Sequence, residues 1–402
     1  MQGMQPNIFY ELHELEGKLR KKFPKKSYYN MAMASPQRKP FQPAVDFALE
    51  MIDETRYMDD MGLECLRRAF CEFYQRRYHV EVNPETEVQV TCGSKAGFAM
   101  VALALLEEGD RVVLPEPYFP PHYEVLHKIG VNIVSCSVEF DMMLEYVEKL
   151  CHSGYEPKMV VLNYPHNPTG SSAYLDGIVK LTELSRKFCF FIVNDFAYAL
   201  TAWSKAGNAP SFLQASSSSL RFARHRNTIE LFSMSKPYNL PGWRIGFVAA
   251  NHIISRDVFS VRSNFEYGGL GPFQYAATEA LTEAGSGFAY NESRIYKARA
   301  QMVMEILGKY DFTFPYIPEG GMFVWAKFPK IVVRGFANKV LVQLIAEETG
   351  VILTPGSAFG VSEHLKDYVR ISTTWDERWG LAVVSERLDA VGEFVCQLSK
   401  DV

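Results

Sequence analysis

Lys236 lies in the run Ser233-Met234-Ser235-Lys236-Pro237-Tyr238-Asn239-Leu240-Pro241-Gly242-Trp243-Arg244. Two small hydroxyl residues flank the lysine, and Arg244 follows just ahead of an apolar stretch that starts at Ile245. A lysine amine attacks a carbonyl group once it is held unprotonated, a state that desolvation and a nearby cation such as Arg244 both favour. Ser233 and Arg244 could hold a phosphate, Arg244 through two N–H groups at once. An aldehyde and a phosphate on one molecule suggest pyridoxal 5'-phosphate (PLP), whose protein signature is a lysine Schiff base and a partner for the pyridine nitrogen.

Asp195 could be that partner. It ends the buried run Phe190-Phe191-Ile192-Val193-Asn194, and ligands of open α/β sheets bind at the carboxyl ends of strands. A carboxylate there would keep the ring nitrogen protonated and make the ring an electron sink. Gly93-Ser94-Lys95 stands between a strand-like run, Val88–Thr91, and a helical one, Ala96–Leu106. A helix start offers free backbone N–H groups and a favourable dipole to a phosphate. Gly93 would allow close approach, with the amides of Ser94 and Lys95 as donors. Asn163-Tyr164-Pro165-His166-Asn167-Pro168-Thr169-Gly170 is rich in turn dipeptides. Arg370 opens a short Arg370-Ile371-Ser372 run near the C-terminus.

Taken in order and spacing, these segments resemble the class I/II aminotransferases among the fold-type I PLP enzymes, closest in look to the alanine/aspartate/diaminopimelate branch. The likeness extends from about Tyr57 to Arg370. It implies that Lys236 forms the Schiff base with the cofactor and moves the proton between the substrate α-carbon and the cofactor C4' carbon. It also implies that Asn167 and Tyr198 hydrogen-bond the phenolic oxygen, which lowers the imine pKa. Arg370 would clamp the substrate α-carboxylate, a task suited to a guanidinium fork. Phe119 would stack on the pyridine ring, unless it is an ordinary core aromatic. Tyr57 would reach the phosphate of a neighbouring subunit, so the resemblance implies a homodimer. Three stretches depart from the pattern on the expected substrate side: Ala34 in place of a common glycine, Gly268-Gly269-Leu270-Gly271-Pro272, and Thr373-Thr374-Trp375. Arg38 and Lys39 are candidates by position alone for a substrate side-chain carboxylate.

The elements that must position these residues are legible as patterns. Residues 8–20 have helical spacing (Ile8, Phe9, Leu12, Leu15, Leu19), as does the stretch from Leu63 (Leu66, Phe70, Phe73), and an irregular Pro-marked segment covers Ser35 to Pro43. Strand-like runs then recur at Glu87–Val90, Arg111–Leu114, Asn132–Ser135, Lys158–Leu162, Phe190–Asn194, Ile229–Phe232 and Ile245–Ala249. Amphipathic segments separate many of them, which argues an α/β fold with a mainly parallel seven-stranded sheet. A long charged helix is expected from about Tyr290, followed by strands near Met322–Lys327 and Tyr368–Ile371. The family likeness implies a large PLP-binding domain over 50–290 and a small α+β domain made of 1–49 and 291–402. Ser216–Ser219 is a low-complexity patch that reads as a surface loop.

Composition narrows the function classes. The chain has 402 residues, 48% hydrophobic and 22% charged, with net charge −4. No long Lys/Arg block favours nucleic acid or a membrane, and the densest basic run, Lys18 to Lys26, reads as a solvated helix face. Seven cysteines without zinc spacing read as buried small hydrophobes in a reducing compartment, and with no signal peptide a cytoplasmic enzyme is expected. No metal motif, GxSxG or P-loop is present. The leading expectation is a PLP-dependent aminotransferase that moves the amino group of an L-amino acid to a 2-oxo acid by a ping-pong mechanism. A PLP-dependent lyase, decarboxylase or oxidase on the same fold is the alternative, since fold does not fix function. A PLP-binding DNA regulator is disfavoured by the lack of a basic recognition pattern.

Overall fold

The structure, a computed structural model, describes residues 7–205, 207–217 and 227–400. Its centre is one seven-stranded sheet. The strands are β1 (Val88–Thr91), β2 (Arg111–Glu116), β3 (Asn132–Ser137), β4 (Met159–Leu162), β5 (Phe191–Phe196), β6 (Thr228–Ser233) and β7 (Gly246–Ala249). They are the seven runs read from the sequence, within two residues at each end. Their spatial order is β1-β7-β6-β5-β4-β2-β3. β2 through β6 pair in parallel, and β7 runs antiparallel to both β1 and β6. Helices cover both faces, so β1, β4, β6 and β7 are buried along their whole length. That double burial is why β4 and β7 read as continuous apolar runs rather than alternating ones.

The helices used below are α1 (Ile8–Lys22), α2 (Gln42–Glu50), α3 (Glu64–Tyr78), α4 (Ser94–Leu105), α5 (Pro120–Ile129), α6 (Glu283–Gly308), α7 (Asn338–Thr349) and α8 (Leu381–Leu398). The Pro-marked segment hides α2: Pro43 sits in its first turn, where the missing N–H costs nothing. α6 begins at Glu283 rather than near Tyr290. Gly285 and Gly287 dilute its helical signature, but a Cβ on Gly285 would come within 2.1 Å of the Ala280 carbonyl oxygen, so close packing requires a glycine there. A second sheet, three antiparallel strands in the order β9-β10-β8, follows: β8 (Phe323–Lys327), β9 (Thr354–Pro355) and β10 (Tyr368–Ser372).

The cores divide along these elements. Phe41 and Ala44 pack with Phe70, Phe232, Phe247 and Ala289 against the large sheet. Met31 joins Ala300, Val303, Val324, Ile371, Val384 and Leu388. Ile8, Leu12 and Leu19 of α1 pack on Ala346 and Ile352. Among the described residues no helix is long and apolar enough to cross a membrane. The serine patch lies only partly within the description: Ser216 and Ser217 end a short helix, and Ser218 and Ser219 fall outside the described residues.

Candidate active site

Parallel strands bring their carboxyl ends to one edge, and at that edge of the large sheet lie Asn163 after β4, Asp195 in β5 and Ser233 at the end of β6. The reversed β7 presents its amino end there, and Arg244 with it. These residues open onto one cavity of about 260 Å³. Ala34, Ser94, Lys95, Phe119, Asn167, Asp195, Tyr198, Ser233, Lys236, Arg244 and Arg370 all line it.

The Lys236 amine donates to the Ala34 carbonyl. Burial first, then the Arg370 and Arg244 charges, bring its pKa down to about 8, against the opposing pull of Asp195. Asp195 is 2% exposed. Its Oδ2 lies 3.1 Å from His122 Nε2, and its Oδ1 accepts from the Ala197 amide at 3.2 Å. An ionised carboxylate only accepts, so this contact puts a proton on Nε2. The Asn163 side chain donates to the Asp195 carbonyl at 2.5 Å and accepts from the Asn167 amide at 3.0 Å, which ties the turn after β4 to β5.

Arg370 is 1% exposed on β10. It donates to Asn167 Oδ1 at 2.9 Å and to the Ala32 carbonyl at 2.5 Å, and its Nε has no partner. Its guanidinium carbon is 5.0 Å from the rings of Phe9 and Phe359 and 5.6 Å from Phe323. Burial lowers its pKa to about 10. Tyr198 is held well above the ordinary phenol range by burial, with Arg370 opposing.

At the other end, Gly93 caps α4 with φ 86°. A Cβ there would meet Arg244 Nη2 at 2.4 Å, so only glycine permits this approach. A Cβ on Gly246 would similarly come within 2.7 Å of the Ser94 amide nitrogen. Arg244 donates to the Cys92 and Pro241 carbonyls at 2.9 and 3.1 Å. Helix start, hydroxyls and guanidinium thus converge in a cradle without room for extra side-chain carbon.

Tyr57 is not brought to this cavity. It is 85% exposed, with its ring 4.9 Å from that of Tyr267. Both line a second cavity of about 670 Å³, which also takes in Gly268–Pro272 and shares Arg244 with the first. Of the three departures from the family pattern, only Ala34 lines the first cavity. Thr374 sits behind it, donating to the Met33 carbonyl at 3.0 Å, and Trp375 packs on Arg299. Arg38 is not available to a ligand there: its Nε contacts both Glu292 carboxylate oxygens at 2.8 and 3.0 Å, and Glu377 pairs with it too. Sequence reasoning missed His122, Asn163, Phe9 and Met33 as site residues. Asn163 belonged to a quoted motif, whereas His122 and Asp195 are 73 positions apart and share no spacing signal.

The aminotransferase class I and II family profile matches residues 31–378. The chain belongs to this family. It is 33% identical over 314 residues to the glutamate-pyruvate aminotransferase AlaC of Escherichia coli (strain K12), an alignment covering 77% of this chain and 73% of that one. It is 30% identical over 326 residues to an LL-diaminopimelate aminotransferase of Moorella thermoacetica, covering 79% and 78%. The solved aspartate aminotransferase of Thermotoga maritima shares the fold, with TM-score 0.82 at 24% identity and 98% of both chains covered. The family is PLP-dependent, and this aminotransferase therefore uses PLP. The residues present fit the cofactor: an anion cradle at the start of α4, a lysine with a weakened hold on its proton, and a buried carboxylate share one cavity.

Proposed function

We propose that the enzyme carries an amino group from an L-amino acid to a 2-oxo acid in two half-reactions at this one cavity. When bound, PLP supplies an aldehyde for the amine and a protonated ring that withdraws the electron pair from the substrate α-carbon. In this reading Ser94, Lys95, Ser233 and Arg244, with Gly93 making room, hold the phosphate. Asp195, oriented by His122 and the Ala197 amide, keeps the ring nitrogen protonated. Asn167 has Oδ1 engaged by Arg370, which leaves its Nδ2 to donate to the phenolic oxygen. Tyr198 keeps its proton because burial raises its pKa, so it is a second donor. Phe119 covers the ring face.

Arg370 binds the α-carboxylate, for which its guanidinium keeps N–H groups beyond the two given to Asn167 and Ala32. Lys236 then moves the proton, since a pKa of about 8 lets Nζ both take and return it near neutral pH. The observation that carries this reading is that Lys236, Asp195 and Arg370 line a single cavity, with Lys236 feeling the charges of both.

The chain is read as a large domain over 50–290 and a small domain of 1–49 with 291–402; the separate cores around Phe232 and Val324 support two domains, although Phe41 and Ala44 pack into the larger one. A homodimer is proposed as well. Tyr57 is exposed and lies beside a cavity that reaches Arg244, as expected of a tyrosine that serves a partner's phosphate. All seven cysteines are free, which suits the cytoplasm.

The test is an absorbance scan of PLP-loaded protein with single amino acids. Conversion to the pyridoxamine form by some donors, reversed by a 2-oxo acid, is the expected result. Release of ammonia, CO2 or peroxide without that conversion would favour a lyase, decarboxylase or oxidase instead.

A further inference from the structure

The charged groups of the cavity face a wall supplied by the N-terminal segment. Phe9 reaches it from the first turn of α1, whose start is fixed by Asn7 Oδ1 accepting from the Phe9 amide at 3.1 Å. The helix itself is seated by Leu12 and Leu19 against Tyr28 and Ile352, and by a Glu11–Lys339 ion pair at 3.0 Å. The Phe9 ring therefore has a defined place, 5.0 Å from the Arg370 guanidinium, and Met33 and Ala34 continue the lining.

This wall carries no charge. Lys236, Arg244 and Arg370 are engaged by the proposed chemistry, Lys95 sits at the phosphate end beside Ser94, and Arg38 is neutralised by Glu292 and Glu377. A donor held by Arg370 at its α-carboxylate and by Lys236 at its α-carbon would direct its side chain toward the N-terminal wall, where, among the described residues, Phe9, Met33, Ala34 and the small hydroxyl residue Ser35 line the cavity. An apolar side chain gains by leaving water there. A second carboxylate would lose hydration beside an apolar wall that offers it no cation of its own.

We infer that Phe9 is a specificity-determining residue, forming the apolar surface against which the side chain of an uncharged donor amino acid packs. This rests on the aminotransferase reading of the cavity. The donor class it names is alanine through leucine and methionine, with aspartate disfavoured.

The test compares full-length, PLP-loaded wild type with Phe9→Ala, Phe9→Leu and Phe9→Arg, using alanine, leucine, methionine and aspartate as donors. Wild type should favour leucine or methionine over aspartate by about tenfold or more in kcat/KM, the scale of a few apolar contacts. Phe9→Ala should cost leucine about tenfold, mainly in KM, and cost alanine less. Phe9→Leu should restore most of the loss, and Phe9→Arg should raise aspartate relative to leucine. The inference is overturned if wild type prefers aspartate, if the variants alter nothing, or if Phe9→Ala lowers all four donors equally together with Tm, which would make the ring only a seat for α1. A wild type that forms no 2-oxo acid from any amino acid sinks the aminotransferase reading itself. A wild type that transaminates with unchanged donor ranking in the variants sinks the Phe9 assignment alone.

Discussion

Asp195 on β5 and Glu230 on β6 are carboxylates of one sheet, both shut off from water, yet they face opposite layers. Register pairs Asp195 with Leu231 and Asn194 with Glu230, so the alternation of side chains sends Asp195 to the cavity and Glu230 into the core against α3. Glu230 is fully buried and meets only neutral donors: the Tyr74 hydroxyl at 2.8 Å, the Ser211 hydroxyl at 2.6 Å and the Phe212 amide at 2.8 Å. Burial outweighs these bonds and raises its pKa to about 7. Asp195 instead shares its cavity with the Lys236 amine and the Arg370 and Arg244 guanidinium groups. The difference teaches that burial alone does not make a carboxylate functional. What matters is whether the groups around it can trade charge with a ligand.

The comparison can be broken most sharply at Lys236. Lys236→Ala should lower kcat by about 10^4-fold or more, the upper range for a proton-transfer group, in a PLP-exchange and turnover assay; substantial residual turnover would move the chemistry elsewhere. Next comes Asp195→Asn, which should cost about 10^3-fold in kcat while leaving the unfolding temperature nearly unchanged. A loss below tenfold would put Asp195 on the same footing as Glu230. His122→Phe removes the Nε2–H that orients Asp195 and should cost about 10- to 100-fold. Its signature is a changed pH–rate profile, because a merely structural loss would lower the rate evenly across pH.

Glu230→Gln should leave kcat within about twofold and act on stability only. The folded pKa is raised from 4.5 to about 7, so this group's stabilising contribution is complete below the unfolded value and is lost as pH rises through about 7. Wild type should therefore lose roughly 2–3 kcal/mol between pH 4 and pH 8 from this site, and Gln should lack that loss. Denaturant unfolding of both proteins at the two pH values checks it, and equal pH slopes would contradict the assignment.

What the sequence made legible follows the same physics. The seven strands of the large sheet were readable as short apolar-rich runs, most plainly where burial on both faces demands continuous apolar residues, as in Met159-Val160-Val161-Leu162. α2 was not readable, since Pro43 looks like a breaker until its place in the first turn is known. The start of α6 was obscured by Gly287 and by Gly285, the second of which packing requires. In the site, residues at strand ends and helix starts had motif neighbours and could be named. His122 and Phe9 had none: each meets its partner, Asp195 or Arg370, only through the folded chain. Phe9 does fit the helical spacing of α1, and it packs at the edge of the Leu12 and Leu19 cluster while also facing the cavity.

α6 is about 39 Å of unbroken helix, at 1.5 Å for each of its 26 residues. One end is gripped beside Phe70 and Phe247 through Ala289, the other beside Val324 and Val384 through Ala300 and Val303. Between the grips, Glu292 accepts from Arg38 and Asn239, Ser293 donates to the Ala202 carbonyl, and Tyr296 donates to Asn239 Oδ1 at 3.1 Å. Asn239 is three residues beyond Lys236. The helix is thus a single rod that spans both cores and is tied midway to the loop that carries Lys236.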